Sequence, residues 1–186
     1  MTTLKALGLV IVATLSAQAA DFGLGIHIRP DVNGYGFHVP IKHNGKFTSV
    51  VSVDYSDSKE DLSSADDSQE QDVKEYSLEY ALYREVFTRG NLSAQAGFCL
   101  GHSWERASQE RRSEGTIFRD RYERNGYHFG PRANIEYTFY KQVSVNWGVG
   151  LLYERKKLNE TGNRLDLDGH QRRLFVDSNL SLRIYF

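Results

Sequence analysis

Leu174 to Phe186 reads LFVDSNLSLRIYF, and its alternation decides how the rest of the chain is read. Leu174, Val176, Leu180, Leu182, Ile184 and Phe186 fall on one side, broken only by Ser178, while Asp177, Asn179, Ser181, Arg183 and Tyr185 fall on the other. A repeat of two belongs to a β-strand. The stretch therefore predicts a long one-sided strand that keeps its alternation up to a terminal aromatic residue.

The opposite end carries a different signal. Lys5 precedes an apolar run from Ala6 to Leu15, and Ala17 and Ala19 place small residues three and one before a cleavage point. This is the pattern of a secretory signal peptide, too short in its apolar part for a spanning helix. Residues 1–19 are expected to be removed after Ala19, leaving 20–186 as one domain. Between the ends, 25% charged residues and a mean hydropathy of −0.52 would ordinarily indicate a soluble protein. A membrane barrel escapes that inference because only every second strand residue faces lipid. Cys99 is the only cysteine and reads as a small buried filler.

The same period of two recurs along the chain. Phe22, Leu24, Ile26 and Ile28 form one face of a first strand; Tyr35, Phe37, Val39 and Ile41 a second; Phe47, Val51, Val53 and Tyr55 a third. Val73 to Phe87 places Tyr76, Leu78, Tyr80 and Leu82 together, and Leu92 to Leu100 continues the series. Asn125 to Tyr140, Val143 to Tyr153 and the closing stretch bring the count to eight. Short turns are expected at Asn44-Gly45, Gly90 and Lys141-Gln142. Longer connections are expected near residue 30 and over 56–72, 105–124 and 154–173, so all the long ones lie at one end. That asymmetry, with an even strand number, is the layout of an outer-membrane barrel.

Alternation alone leaves open which face points outward, since a lipocalin-like periplasmic carrier would turn the apolar face in. Three features favour the membrane. Tyr127 and Tyr137, like Tyr55 and Tyr76, sit near strand ends and mark two interfacial girdles about 9 to 11 residues apart along a strand. The opposite faces mix Gly and Ser with Glu79, Glu85, Arg132, Glu136, Asp177 and Arg183, a composition that fills a narrow lumen with paired charges. The leader and the terminal aromatic bracket the pattern.

On these features the chain resembles the small eight-stranded outer-membrane β-barrels typified by the transmembrane domain of outer membrane protein A and by X-type and Opa-like adhesin barrels. The resemblance implies an all-β, antiparallel up-and-down transmembrane barrel in a Gram-negative outer membrane, monomeric and without a wide pore. It also implies that Phe186 is read by the barrel-assembly machinery.

Candidate chemistry is sparse. His102 and Ser103 are adjacent and so point to opposite sides of a strand, which separates base from nucleophile. No His-x-Ser of the lipid A deacylase kind occurs, and the six histidines lack ligand spacing. Asp166-Leu167-Asp168-Gly169 opens like a calcium loop but lacks its later acids, and reads as a turn. No metal or cofactor is expected, and the near-neutral charge of an exported chain gives nucleic-acid binding no support.

The connections differ in charge: one base against seven acids in 56–72, six against five in 105–124, and six against four in 154–173. Arg111, Arg112, Arg119, Arg121, Lys156, Lys157, Arg172 and Arg173 are therefore candidates to meet lipopolysaccharide phosphates, Arg by bidentate contacts. The expected function is structural, envelope-stabilising or adhesive, without catalysis. The alternatives are a lipid A-modifying enzyme using His102 or His128 and, further off, the lipocalin-like carrier.

Overall fold

Eight antiparallel strands pair in sequence order and close on themselves in the computed structural model. It describes the backbone of residues 21–30, 33–43, 46–63, 67–113, 116–160 and 169–186, and the expected leader lies outside these. The strands are β1 (Asp21–Arg29), β2 (Gly34–His43), β3 (Phe47–Ser63), β4 (Asp67–Arg89), β5 (Leu92–Ser113), β6 (Thr116–Tyr140), β7 (Val143–Glu160) and β8 (Gly169–Tyr185).

Register fixes the shape. From Ile28 the pairing runs through Tyr35, Tyr55, Tyr76, Trp104, Asn125 and Lys157 to His170, yet Ile28 also pairs with Leu180. One circuit thus returns from residue 170 to residue 180, a shear of ten. With about 4.8 Å between strands and about 3.3 Å per residue, eight strands at this shear tilt by about 40°.

The apolar faces point outward. Leu24, Ile26, Phe37, Phe98, Leu100, Trp147 and Val176 are among the large apolar side chains left exposed. Their in-strand neighbours His27, His38, Gln95, Asn146 and Asp177 are buried. This polarity excludes the lipocalin-like carrier, whose apolar faces would line the interior. A smaller apolar group, Val50, Ala81, Tyr83, Cys99 and Leu152 with Phe175 against it, plugs the middle of the lumen. Cys99 is fully buried, as expected of a filler.

Aromatic rims bound the outward band. Tyr35, Tyr55 and Tyr76 stand side by side on β2, β3 and β4, with ring centroids 5.4 and 5.1 Å apart, and Trp104 follows in register on β5. At the other end Phe22 lies 5.4 Å from Phe186, and Phe87, Tyr137, Phe139 and Tyr140 are exposed. Glycine serves the tight turn there, with Gly90 at φ +59° between β4 and β5.

The long connections are corrected by the structure. Most of 56–72, 105–124 and 154–173 is strand: β3 pairs with β4 out to Ser63↔Ser68, β5 with β6 to Ser113↔Thr116, and β7 with β8 to Leu158↔Gly169. Both faces of these extensions meet polar surroundings, so no apolar alternation marks them, while the backbone ladder continues regardless. Asn44-Gly45 and Asp166-Leu167-Asp168 lie outside the described residues. At 25 residues, β6 far exceeds the ~9 to 11 needed to span.

The extensions do not close. β1 pairs with β8 no further than Ile28↔Leu180, and β2 with β3 no further than Gly34↔Ser56. Above that level the sheet has six strands, β3 to β8. Among the described residues, the side of Ser58–Ser63 away from β4 and the side of Gly169–Asn179 away from β7 have no strand partner.

Candidate functional site: lumen and outer sheet

Inward glycines make room for the lumen's large side chains. Gly25 leaves no space for a Cβ beside the His38 ring, Gly36 none beside His27, and Gly101 none beside His128. Since β1 and β2 pair Gly25 with His38 and His27 with Gly36, each ring lies over the neighbouring strand's glycine.

These histidines form a directional chain. Arg183 Nε donates to His38 Nε2 (3.1 Å), so the His38 proton sits on Nδ1 and is given to His27 Nδ1 at 3.1 Å. The His27 Nε2–H then points at Asp54, whose other oxygen accepts from Ser77 Oγ at 3.2 Å. Every nitrogen of the two rings has a partner.

Ion pairs fill the lumen at three heights. Near the lower end, Glu136 accepts from Arg183 (3.2 Å), Lys42 (3.4 Å) and Tyr185 (3.3 Å). Midway, Arg132 joins Glu79 to Asp177, with Arg29 2.9 Å from Asp177 and His128 3.1 Å from Glu79. At the upper rim, Lys156 lies 2.9 Å from both Glu75 and Glu105 and 3.4 Å from Glu154. Arg124 and Arg173 complete that group through Glu105 and Glu154. A lumen cavity of about 70 Å³ among these groups holds no more than a few waters.

Glu75 and Lys156 stand beyond the membrane-spanning segments. Burial pushes the Glu75 carboxyl up, but the Lys156 ammonium outweighs it and holds the acid below its ordinary range. Burial pushes Lys156 down, and Glu75, Glu154 and Glu105 outweigh it to hold the amine above its ordinary value.

The sequence-derived candidates divide. Lys156 is corrected: it is 3% exposed and faces the lumen, because even-numbered positions of β7 point inward here. Arg173 likewise turns toward Glu154. Arg121, Lys157 and Arg172 are exposed, while the side chains of Arg111, Arg112 and Arg119 lie outside the described residues. Arg155, absent from those candidates, also sits on the outward side of β7; its position two beyond Tyr153 on one alternating face is the available signal.

Among the described residues one histidine and serine pair lies within hydrogen-bond reach. Ser103 is buried and inward, and His102 packs against Trp104 with centroids 4.4 Å apart, so the two are on opposite faces as expected. His43 Nε2 and Ser49 Oγ lie 2.7 Å apart, but Ser49 is only 1% exposed. No described carboxylate orients that imidazole within hydrogen-bond reach. Among the described residues no group of three or more His, Cys, Asp or Glu side chains is placed to hold a metal.

No protein-family model and no curated protein sequence matches the chain. Among solved structures, it is similar to a major outer membrane protein from Thermus thermophilus, at TM-score 0.63 and 10% identity, covering 91% of this chain and 100% of that one. Neisserial surface protein A aligns at TM-score 0.45 and 11% identity over 89% of this chain and 96% of its own. The attachment invasion locus protein Ail of Yersinia pestis aligns at TM-score 0.45 and 15% identity over 89% of this chain and 95% of its own. At such identities the likeness is one of fold. By fold the chain is an eight-stranded antiparallel β-barrel similar to that of the Thermus thermophilus outer membrane protein.

Proposed function

We propose that the chain is a surface protein of a Gram-negative outer membrane, a sealed barrel that holds a projecting sheet outside the cell for structural or adhesive contact. The carrying observation is the six-stranded continuation of β3–β8 beyond the aromatic rim, with its two unpaired edges. A strand's free edge offers a row of N–H and C=O groups to an extended partner, and a membrane-anchored one presents it outward. The filled lumen argues against a porin's conductance, and the reading assigns no catalysis. On this reading the leader exports the chain and the assembly machinery reads Phe186, which is exposed beside Phe22 at the lower rim. Lipid and lipopolysaccharide surround the band, and the barrel is monomeric.

The test is an epitope inserted between Ser63 and Asp67 of the full chain, expressed in a Gram-negative host. Antibody labelling of intact cells, with no added ion conductance in planar bilayers, is the expected result. Labelling only after the outer membrane is broken would overturn the outward placement of the sheet.

A further inference from the structure

Arg155 on β7 and Arg172 on β8 are register partners. Both occupy outward positions, since their neighbours Glu154, Lys156 and Arg173 are committed to the lumen. Like charges directly opposite on one face of an antiparallel pair repel. Among the described residues no carboxylate lies within ion-pairing distance of either guanidinium. By contrast the outward Arg106 on β5 has its acid, Glu123 on β6, at 3.1 Å. Two positions further out, Lys157 pairs in register with His170, extending the same cationic face.

The height of the pair completes the observation. Two positions below lie Tyr153 and Leu174, themselves register partners, with Tyr153 5.3 Å from Phe129 at the edge of the apolar band. Two residues are about 7 Å along a strand, or about 5 Å along the membrane normal at this tilt. Each headgroup layer is about 5 to 8 Å thick. The two backbone positions therefore stand within a headgroup layer's depth of the edge of the apolar band.

We infer that Arg155 and Arg172 clamp the phosphate of an anionic outer-leaflet lipid, a monoester in preference to a diester. Two planar forks on register partners of adjacent strands can share the oxygens of one phosphate, whose charge turns their repulsion into a bridge. This rests on the outer-membrane reading above, and relocates its lipid-contacting role from a scattered set of loop bases to one built pair.

The experiment uses the full barrel in nanodiscs, with retention of a phosphorylated glycolipid read by native mass spectrometry and its dephosphorylated form as the reference. The doubly substituted Arg155→Gln, Arg172→Gln barrel should lose the preference for the phosphorylated form by about tenfold or more, while Arg106→Gln keeps it. Arg155→Glu should lose the lipid equally yet raise the unfolding midpoint in phosphate-free detergent, because it replaces a repulsion by a cross-strand ion pair. Unchanged retention in the double variant would overturn the site. Displacement of the lipid by an equal concentration of inorganic phosphate would overturn the lipid assignment and leave an anion site only. Every sample is also run boiled and unboiled. Absence of a mobility shift contradicts the barrel itself, whereas a shift with unchanged retention contradicts only the clamp.

Discussion

The lower and upper halves of this molecule are made from the same strands under opposite constraints. Up to the Ile28↔Leu180 pair all eight strands close, the inward charges are paired, and Glu136 at 1% exposure receives three donors. Beyond the upper rim six strands continue with open edges, and Arg106 and Glu123 are exposed to solvent. Lipid tolerates neither an unpaired edge nor an uncompensated charge, and water tolerates both. The six-stranded continuation is suited to water, and Leu174–Asn179 is the stretch over which closure ends before the outward apolar face does.

Breaking the lower half should have the largest effect. Arg132→Met leaves Glu79 and Asp177 without their shared cation, and is expected to cost about 3 to 5 kcal/mol, measured by urea unfolding in lipid vesicles through Trp104 and Trp147 fluorescence. A loss below ~1 kcal/mol would mean that water already screens the network. Gly101→Val drives a side chain into the His128 ring and should cost about 1 to 3 kcal/mol, or abolish assembly. Removing the middle ring of the tyrosine row in Tyr55→Ala deletes two ring pairs, each contributing about 0.5 to 1.5 kcal/mol.

The boundary between the halves should respond to pH. Glu75 is held below its ordinary range, so its contribution is present above the ordinary carboxylate value and lost as pH falls through the depressed one. Lys156 is held above its ordinary value, so its contribution is present below that value and lost as pH rises through the elevated one. Amide exchange around Lys156 is therefore expected to be slowest between about pH 5 and about pH 10 and to accelerate on either side. A profile that is flat once corrected for intrinsic exchange would contradict the buried cluster. The smallest effect belongs to the outer sheet: Arg106→Ala removes an exposed ion pair and should cost about 0.2 to 1 kcal/mol, vanishing at high salt.

The two halves are also unequally legible in sequence. β1 reads at its observed bounds, and the apolar faces of the others read correctly apart from Ile41, which is buried, because lipid on one side and a polar lumen on the other write hydropathy with a period of two. Alternation marks β6 only from Asn125 although it begins at Thr116, and β8 only from Leu174 although it begins at Gly169, because water on both faces erases that contrast. The same erasure hides Lys156. Once the strand is extended through Glu154-Arg155-Lys156-Lys157, alternation sends Lys156 inward and Arg155 outward, reversing their apparent roles. The partners of the lumen charges join residues up to 145 positions apart, as Arg183 and His38 are, and no local pattern records such pairs.

The central claim is that these strands close as a barrel in a membrane. The most direct test is to express the full chain in a Gram-negative host, isolate the outer membrane, and compare gel mobility with and without boiling. A detergent-requiring band in the outer-membrane fraction whose mobility shifts on boiling is the expected result. A freely soluble periplasmic protein with the same mobility in both lanes would contradict the account.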